Sequence, residues 1–384
     1  MRSVYLHFPF CRSRCTYCDF VSGIPPEEDI VRRYSDALLR ELPMQAERFG
    51  GVAGKSTLYL GGGTPSLAPV REIARWVEAA AKIAPGGFAE TTLEANPEDV
   101  TPSLAREWKK LGIDRTSLGW QSQNAGTLTS LLRRNSPGSN IRALDALHEA
   151  GFTNVSVDVI AGIAGDDLSA TLDAVTKARP EHVSVYMLTI AEGTPLHRSA
   201  NAGSYVPLGE KASLAALRRV NERLNESGYE RYEVSNWALS ENFRSKHNEN
   251  YWKYGEYFGA GLSASGFMRT GNAPFAGMRW SNGRNLREWL NEIENGRFDR
   301  EIEEEIGLET AIREYLMVSL RLTRGPDAEE FRSLFGVPLF DAIIPRFFDI
   351  NAGLVDRDER GFRLTERGFE LSNPVTVSLW ENLN

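Results

Sequence analysis

Cysteine is scarce in this chain and unevenly distributed. Only three cysteines occur in 384 residues, and all of them fall within eight consecutive positions, as Cys11, Cys15 and Cys18. A disulfide framework needs paired cysteines and an oxidising compartment, so three clustered thiols do not indicate one. Metal binding is the explanation that remains for thiols gathered in one loop.

Long apolar runs and an excess of positive charge are also missing. No stretch approaches the roughly 18 apolar residues that a transmembrane helix needs. Lys and Arg number 44 against 52 Asp and Glu, a net charge of −8, and the absence of a basic cluster argues against nucleic-acid binding. The chain enters a predicted strand directly after Met1, without the apolar segment of a signal peptide. We therefore expect a cytoplasmic protein, attached to a membrane at most through a partner.

The number of thiols distinguishes between two kinds of metal site. A structural zinc site closes its tetrahedron with four ligands, and the nearest additional ligand here is His7. A [4Fe–4S] cube needs one thiolate for each iron, so three thiolates would leave one iron open to a substrate. The aromatic residues Phe10, Tyr17 and Phe20 would shield such a cluster from water. The ligand number favours the cluster, and zinc is the alternative.

Alternating strand-like and helix-like patterns predict the fold of the first 230 or so residues. Six β-forming runs separated by helical periodicities predict strands at residues 3–8, 57–60, 91–95, 115–121, 154–160 and 182–188. Strands joined by helices form a parallel sheet, and right-handed crossovers would curl it into an open (β/α)6 barrel. Glycines and polar residues at five of the strand ends predict a binding site at the carboxyl edge.

A connecting segment and a smaller domain are predicted after the barrel. We place the barrel at residues 1–235, with a cluster loop at 9–20, the connecting segment at 236–299 and the C-terminal domain at 300–384. An acidic stretch at 301–305 marks the junction. The last domain combines helices with a hairpin near 353–364 and a short helix capped by Thr365, an α+β, winged-helix-like pattern. It has ten Arg, no Lys and seventeen Asp or Glu, which argues against DNA binding.

The cysteine spacing and its surroundings resemble a known family. Cys-x3-Cys-x2-Cys directly after a first strand resembles the signature of the radical S-adenosylmethionine (SAM) superfamily. The stretch Tyr5-Leu-His-Phe-Pro-Phe-Cys11 is similar to the branch that contains oxygen-independent coproporphyrinogen III oxidase (HemN) and the heme chaperone HemW. The resemblance implies a partial (β/α)6 TIM-like barrel and a [4Fe–4S] cluster whose open iron is chelated by SAM. It also implies an electron donor and one-electron cleavage of SAM to a 5′-deoxyadenosyl radical.

The same resemblance implies which residues contact SAM. The stretch Gly61-Gly62-Gly63-Thr64-Pro65 resembles the motif that receives the SAM amino group, and glycines let a ligand approach the backbone closely. Glu94 corresponds to a family carboxylate, whereas Arg133, beside Arg134, could equally be a solvated helix residue. The expected SAM-binding residues are Tyr5, Tyr17, Phe20, Gly62, Gly63, Thr64, Glu94, Gln121, Arg133 and Asp158.

Two features make the HemW group the closer resemblance. The family oxidase carries a fourth cysteine two residues after the third, where this chain has Phe20. The stretch His247-Asn-Glu-Asn-Tyr251-Trp252 matches a motif associated with heme binding in HemW-type proteins, and imidazole and flat aromatic faces suit heme. The resemblance implies that His247, Tyr251 and Trp252 bind heme for delivery to hemoproteins, although His247 could instead be a hydrogen-bonded structural residue. Membrane acceptors and a homodimer stay open.

The resemblance extends into the C-terminal tail, where Gly353-Leu-Val and Leu364-Thr-Glu-Arg-Gly368 match the HemW type. Two histidines of the family pattern are missing earlier in the chain. Asn135 and Ser265 stand in their places. These losses leave the expected cluster and SAM contacts intact and affect the substrate pocket. The alternative function is therefore a class C radical SAM methyltransferase that uses a second SAM molecule. Coproporphyrinogen III dehydrogenase activity is disfavoured by Phe20, and productive cleavage of SAM is left open.

Overall fold

The computed structural model describes residues 2–27, 29–52, 54–270, 276–297 and 302–383. Within these ranges, twelve strands form one mixed sheet and two more form a separate hairpin. Short 3-10 turns lie at Pro65–Leu67, Pro97–Asp99, Glu241–Phe243 and Leu339–Asp341. Among the described residues, none of the helices has both the length and the apolar character needed to cross a membrane.

Six parallel strands in chain order form the middle of the sheet. They are β1 (Arg2–Phe8), β2 (Ser56–Gly62), β3 (Phe88–Ala95), β4 (Arg115–Gln121), β5 (Val155–Ala161) and β6 (His182–Met187). Each strand pairs in parallel with the next, so all six carboxyl ends lie at one edge of the sheet. Every predicted strand is present to within three residues at either end, which confirms the predicted α/β class.

Helices connect these strands and follow the last of them. They are α1 (Ile30–Phe49), α2 (Val70–Ile83), α3 (Pro102–Lys110), α4 (Ala125–Ser130), α5 (Pro137–Glu149), α6 (Leu168–Ala178), α7 (Pro195–Asn201) and α8 (Glu210–Glu226). The starts of α3, α5 and α6 are fixed by Thr101, Ser136 and Asp167, whose side chains accept hydrogen bonds from backbone amides of the first turn.

The two faces of the parallel strands differ in character. Because successive side chains point to opposite faces, Val4 and Leu6 of β1 share the face that packs into the apolar core. The other face carries polar side chains that hydrogen-bond to one another, such as Thr57 with Ser3. We call this second surface the inner face. It leads toward the carboxyl edge, where the predicted site lies.

The sheet extends beyond the six parallel strands on both sides. Next to β1 lie β9 (Glu256–Ala260), β10 (Ser265–Arg269), β11 (Gly277–Ser281) and β12 (Ile302–Ile306), and next to β6 lie β8 (Asn236–Ala238) and β7 (Glu230–Arg231). Strand β9 runs parallel to β1, whereas the other added pairs are antiparallel. Helices α9 (Lys246–Trp252) and α10 (Leu286–Glu294) belong to the same region.

Two segments differ from what their sequence patterns predict. Residues 242–270 fit neither the helix nor the strand periodicity, yet they form α9, β9 and β10, elements too short to show a clear period. Residues 229–234 have a strand-like pattern, but only the two-residue β7 forms there. The acidic stretch proposed as the domain junction contributes β12, where Glu304 lies opposite Arg279 of β11 and pairs with it at 2.9 Å. Such cross-strand ion pairs allow a charged segment to form an edge strand.

The C-terminal region has a hydrophobic core of its own. Its elements are α11 (Leu308–Ser319), α12 (Ala328–Phe335), α13 (Arg346–Ile350), β13 (Val355–Asp358), β14 (Gly361–Leu364), α14 (Glu366–Glu370) and α15 (Ser372–Trp380). The predicted hairpin is confirmed by antiparallel β13 and β14, and Thr365 caps α14 by accepting from the Gly368 amide. Tyr254 and Phe267 join this core, so the region packs against the large sheet.

Candidate functional site

A cavity of about 270 Å³ opens at the carboxyl ends of the parallel strands. Side chains of the inner face form its floor, and the loop after β1 and the turn after β2 form its rim. We call it the first cavity. Its lining includes the predicted residues Cys11, Cys15, Cys18, Tyr17, Phe20, Gly62, Gly63, Thr64, Glu94, Gln121, Arg133 and Asp158. The structure therefore brings the three thiols and most of the expected SAM contacts to one place.

The loop that carries the cysteines is closed at its base by backbone bonds and is attached at its middle to the end of α4. At the base, the Cys11 amide donates to the Gly23 carbonyl and the Gly23 amide donates to the Pro9 carbonyl, each at 2.9 Å. At the middle, the Thr16 amide donates to the Leu131 carbonyl at 3.1 Å. Backbone bonds of this kind fix the positions from which the thiols reach the first cavity.

Two of the thiols are disfavoured as thiolates by their surroundings. Burial raises the pKa of Cys11, and a hydrogen bond from Thr64 at 3.4 Å opposes that effect. Burial also raises the pKa of Cys18. Because a thiolate is the form that binds metal, metal binding here would release protons.

The residues present fit a cluster held by three thiolates. A Cβ at Gly63 would lie 2.7 Å from the Phe10 carbonyl oxygen and 3.0 Å from Cys11 Sγ, so the turn after β2 approaches the cysteine loop closely only because it is glycine. Among the described residues, no group of three or more His, Cys, Asp or Glu side chains is arranged to hold a single metal ion. The thiols instead line a common cavity, where each could bind a different iron of a cube.

Glu94 is held at the floor of the first cavity by two hydrogen bonds. The Tyr59 hydroxyl donates to one carboxyl oxygen and the Gly62 amide donates to the other, both at 2.9 Å. Burial raises the pKa of Glu94 to about 7, although these two bonds favour the ionised form. A cationic amino group bound beside it would therefore stabilise the carboxylate.

Asp158 supplies a second carboxyl group on the inner face. The Ser117 hydroxyl lies 2.9 Å from both carboxyl oxygens of Asp158, and Ser156 lies 3.4 Å from one of them. Burial raises the pKa of Asp158, while the bond from Ser117 opposes the shift. The floor of the cavity thus offers two acceptors whose charge depends on what binds next to them.

Arg133 lies in the cavity rather than on a solvated helix face. It follows the end of α4, and its guanidinium donates to the Gly119 carbonyl and to Asn96 Oδ1, each at 2.7 Å. The same group lies 3.7 Å from Cys15 Sγ. Its neighbour Arg134 is exposed. Arg133 can therefore place a positive charge beside the thiol of Cys15.

Gln121 ends β4 in a backbone conformation that is uncommon for a residue other than glycine. Its φ is 66°, and the pairing register with β5 shifts between Gly119 and Gln121. Such conformations are kept where the surrounding structure requires them, and they are frequent at binding sites. Gln121 lines the first cavity, where its sequence position predicted it.

Tyr5 lies at a neighbouring cavity of about 430 Å³, outside the lining of the first one. We call this the second cavity. It is lined by Tyr5, His7, Asp19, Phe20, Val21, Tyr251, Tyr257, Ser263, Ala264, Ser265 and Arg284. The Tyr5 hydroxyl lies 2.9 Å from His7 Nδ1, and His7 Nε2 lies 3.0 Å from the Val21 carbonyl. Phe20 lines both cavities and separates them.

His247 is enclosed within the protein. It is 2% exposed, with Nδ1 at 2.8 Å from the Thr57 hydroxyl and Nε2 at 3.1 Å from the Tyr251 hydroxyl. Its ring lies against that of Tyr59, with centroids 4.8 Å apart. Burial lowers the pKa of His247 to about 3. Because both ring nitrogens have partners, ligation of a heme iron would require one of these bonds to break.

The other two residues of the predicted heme motif face different surroundings. Tyr251 lines the second cavity. Trp252 lies beneath the guanidinium of Arg321, 4.9 Å from its ring centroid, at the contact with the C-terminal region. The structure therefore does not bring His247, Tyr251 and Trp252 to one ligand surface.

Tyr59, Ser117 and Asn96 are site residues that the sequence analysis did not select. Tyr59 and Ser117 belong to the inner face and hydrogen-bond the two carboxyl groups, and Asn96 accepts from Arg133. The period-two alternation of the strands could have identified the first two, since they share a face with the polar strand-end residues. Asn96 follows β3 and gives no comparable signal.

Comparisons with known proteins agree with this geometry. Residues 5–178 match the radical SAM superfamily, and residues 306–371 match the HemN C-terminal domain. A heme chaperone HemW of Mycobacterium tuberculosis is 33% identical over 330 residues, covering 84% of this chain and 82% of that protein. A heme chaperone HemW of Lactococcus lactis is 29% identical over 381 residues, covering 97% of this chain and 96% of the relative.

Among solved structures, coproporphyrinogen III oxidase (HemN) from Escherichia coli has a similar fold. Its TM-score is 0.79 at 20% identity, covering 98% of this chain and 89% of that one. Together with the three thiols at the strand ends, these matches define a radical SAM protein with a HemN-type C-terminal domain. Within that superfamily, the chain belongs to the HemW family.

Proposed function

We propose that this chain is a HemW-type heme chaperone that binds a [4Fe–4S] cluster, SAM and heme. The two relatives described above carry the name heme chaperone HemW. The observation that carries the proposal is the first cavity, where the chain's only three cysteines lie beside a glycine turn and a buried carboxyl group. This combination suits a cluster with one iron left for a small amino acid derivative.

Cys11, Cys15 and Cys18 would each hold one iron of the cluster, and no fourth cysteine exists to close the last position. When bound, the cluster supplies an electron to SAM. Arg133, 3.7 Å from Cys15 Sγ, would stabilise the negative charge of that thiolate. The loop bearing Tyr17 and Phe20 would exclude water from the cluster.

Glu94 and the turn after β2 would receive the amino group of SAM. The Glu94 carboxylate can pair with a cation while Tyr59 and the Gly62 amide hold it in place. Thr64 and Gly63 lie between this carboxylate and Cys11. One SAM molecule could therefore place its amino group on Glu94 and also reach the open iron. Asp158 and Gln121 would contact more distant parts of SAM.

Heme would be the cargo, delivered to a hemoprotein acceptor. An electron donor for the cluster is the second partner that this function requires. Three unpaired thiols suit a reducing compartment such as the cytoplasm. Contact with a membrane through the acceptor and formation of a homodimer are further parts of the proposal.

The chaperone role is tested by adding hemin to the anaerobically purified protein. A chaperone should bind hemin with a shifted Soret band, both with and without the cluster. Absence of any Soret shift under both conditions would rule out the role. A parallel assay for protoporphyrinogen should be negative, because Phe20 occupies the position of the fourth cysteine of the family oxidase.

A class C methyltransferase is the second candidate function. The observation that favours it is the second cavity, which shares Phe20 with the first and has room for another small molecule. Incubation of the reconstituted protein with dithionite and SAM distinguishes the two. Formation of 5′-deoxyadenosine together with S-adenosylhomocysteine would favour methyl transfer over the chaperone role.

A further inference from the structure

The second cavity opens beside the cluster loop, between β1, α9 and the small residues that follow β9. We propose that this cavity binds the edge of an anionic porphyrin, with rings packed against its macrocycle and a carboxylate arm on Arg284. The proposal rests on the proposed heme-carrying function and identifies where the cargo would bind. It uses Phe20, which lines both cavities, and otherwise needs no residue of the first cavity.

The shape and chemistry of the walls suit a flat apolar ring system. Four aromatic side chains line a volume of about 430 Å³: Tyr5, Phe20, Tyr251 and Tyr257. Tyr251 and Tyr257 are packed edge to face with centroids 4.8 Å apart, which fixes both rings. Phe20 is 59% exposed, a large fraction for an apolar side chain beside a cavity. A bound macrocycle would cover this surface.

An exposed arginine at the rim suits a ligand that carries a carboxylate. Arg284 is exposed at the cavity and makes no ion pair with any described residue. Asp19 is the acidic residue of the lining, and it would repel a carboxylate placed next to it. A porphyrin inserted edge-first can direct a carboxylate arm toward Arg284 while keeping its apolar edge against the rings.

Small side chains on the wall leave the cavity open. Ser263, Ala264 and Ser265 form this part of the lining. Ser263 has a φ of 59°, a conformation that costs energy for a residue other than glycine and is common at ligand sites. Ser265 stands where the family pattern has histidine. This chain therefore has open space where the family has an imidazole side chain.

The second cavity also assigns the His247–Trp252 motif a role other than ligation of the heme iron. Tyr251 reaches the second cavity, and His247 lies behind it with Nε2 3.1 Å from the Tyr251 hydroxyl. His247 would therefore act as a positioning residue that orients Tyr251. The porphyrin would contact the tyrosine rather than the histidine.

The first test is hemin titration of the full-length protein, followed by Soret absorbance. Arg284→Glu should raise the Kd about fivefold, because a screened pair at an exposed rim becomes a repulsion. This increase should shrink at high salt. Arg287→Glu is the matched control, since Arg287 is exposed nearby but does not line the cavity. Equal Kd values for both variants and the wild type would overturn the assignment of Arg284.

The second test fills the cavity. Ser265→Trp should weaken hemin binding by about tenfold or more, because the indole occupies the space of the macrocycle. SAM binding in the first cavity should be retained, and it reports that the variant is folded. Unchanged hemin affinity in a folded Ser265→Trp protein would overturn the proposal while leaving the chaperone function intact.

Two further outcomes are distinguishable. If wild-type protein binds no hemin, the proposed function fails and this assignment fails with it. If Ser265→Trp reduces SAM binding from two molecules per chain to one while hemin affinity is unchanged, the second cavity is a SAM site and the porphyrin assignment is overturned. The expected result is hemin binding weakened by about tenfold or more in Ser265→Trp, with one SAM bound per chain in both the wild type and the variant.

Discussion

At the scale of single residues, the charge state of Glu94 is the property most sensitive to ligand binding. Its carboxyl group is placed between the Tyr59 hydroxyl and the Gly62 amide, and burial raises its pKa to about 7. The neutral and ionised forms are therefore close in free energy near pH 7. A cationic ligand binds the ionised form, so binding and deprotonation are coupled.

This coupling predicts a pH-dependent SAM affinity. SAM should bind the wild-type protein more tightly as the pH rises from about 6 to 8, since more of Glu94 is ionised before binding. Glu94→Gln should weaken binding roughly tenfold at pH 8 and remove most of the pH dependence. Isothermal titration calorimetry measures both effects. Glu107→Gln, in an exposed ion pair with Lys110, is the control.

The Glu94 carboxyl group also affects the free energy of unfolding, which should fall as the pH rises, whereas the SAM affinity should increase. The folded-state pKa of Glu94 lies above its unfolded value near 4.5, so the folded protein holds a proton that the unfolded chain has released. Its contribution is present at low pH and is lost as the pH rises from about 4.5 through 7, by at most about 3 kcal/mol. Glu233, whose pKa burial also raises to about 7, adds to this trend.

A SAM affinity that is independent of pH in wild-type protein would contradict the assignment of Glu94.

His247 provides a second prediction at this scale. His247→Gln should lower the free energy of unfolding by about 2 kcal/mol, because the bonds with Thr57 and Tyr251 are weakened. The Soret maximum of bound hemin should not move, because the proposed porphyrin site places the macrocycle against Tyr251 rather than against the imidazole of His247. His197→Gln, at a half-buried histidine with one long contact to Asn201, is the control. A displaced Soret maximum in His247→Gln would show iron ligation.

At the scale of elements, the close approach of two turns determines whether the cluster can form. Gly63→Ala should lower the iron content after reconstitution by more than half, because the added Cβ meets the Phe10 carbonyl oxygen and Cys11 Sγ. Gly23→Ala, at the base of the cysteine loop, is the control, since a Cβ there meets no atom within 4 Å. Colorimetric iron analysis makes the comparison. Full iron content in Gly63→Ala would show that this approach is not needed.

The parallel strands and their helices could be predicted because their patterns are local. The alternation of β1 and the capping residues Thr101 and Ser136 appear in short windows of the sequence. The polar strand ends predicted the first cavity, since parallel strands bring their carboxyl ends to one edge. The cysteine spacing needed no fold prediction at all.

The features that could not be predicted depend on distant partners. Strand β12 is acidic and forms because Arg279, more than twenty residues earlier, lies opposite Glu304. The two bonds that enclose His247 come from Thr57 and Tyr251, one of them far away in the sequence. The second cavity gathers residues of β1, the cluster loop, α9 and the turn after β9. No periodicity in the sequence indicates these contacts.

At the scale of the whole molecule, the carboxylate of Glu314 forms a polar cluster that connects the C-terminal region with the sheet. Glu314 of α11 accepts from the Arg279 guanidinium at 2.7 and 2.8 Å and from the Tyr254 hydroxyl at 2.6 Å. The group is largely shielded from solvent, with 18% of the Glu314 side chain exposed. Loss of its charge leaves Arg279 only partly paired.

We therefore expect Glu314→Gln to lower the free energy of unfolding by about 2 kcal/mol, measured by urea denaturation. Glu309→Gln is the matched control, because Glu309 pairs with Arg313 on the exposed surface of the same helix and should change stability by less than about 0.5 kcal/mol. Equal effects of the two substitutions would show that the contact with the sheet does not stabilise the C-terminal region.

The central claim is that three thiolates hold a four-iron cube whose remaining iron binds SAM. Its most direct test is metal and sulfide analysis of the anaerobically reconstituted protein, with electron paramagnetic resonance spectra of the reduced cluster before and after SAM is added. We predict about four irons and four sulfides per chain and a spectrum that changes on addition of SAM. A single zinc per chain, or a cluster spectrum that SAM leaves unaltered, would contradict the claim.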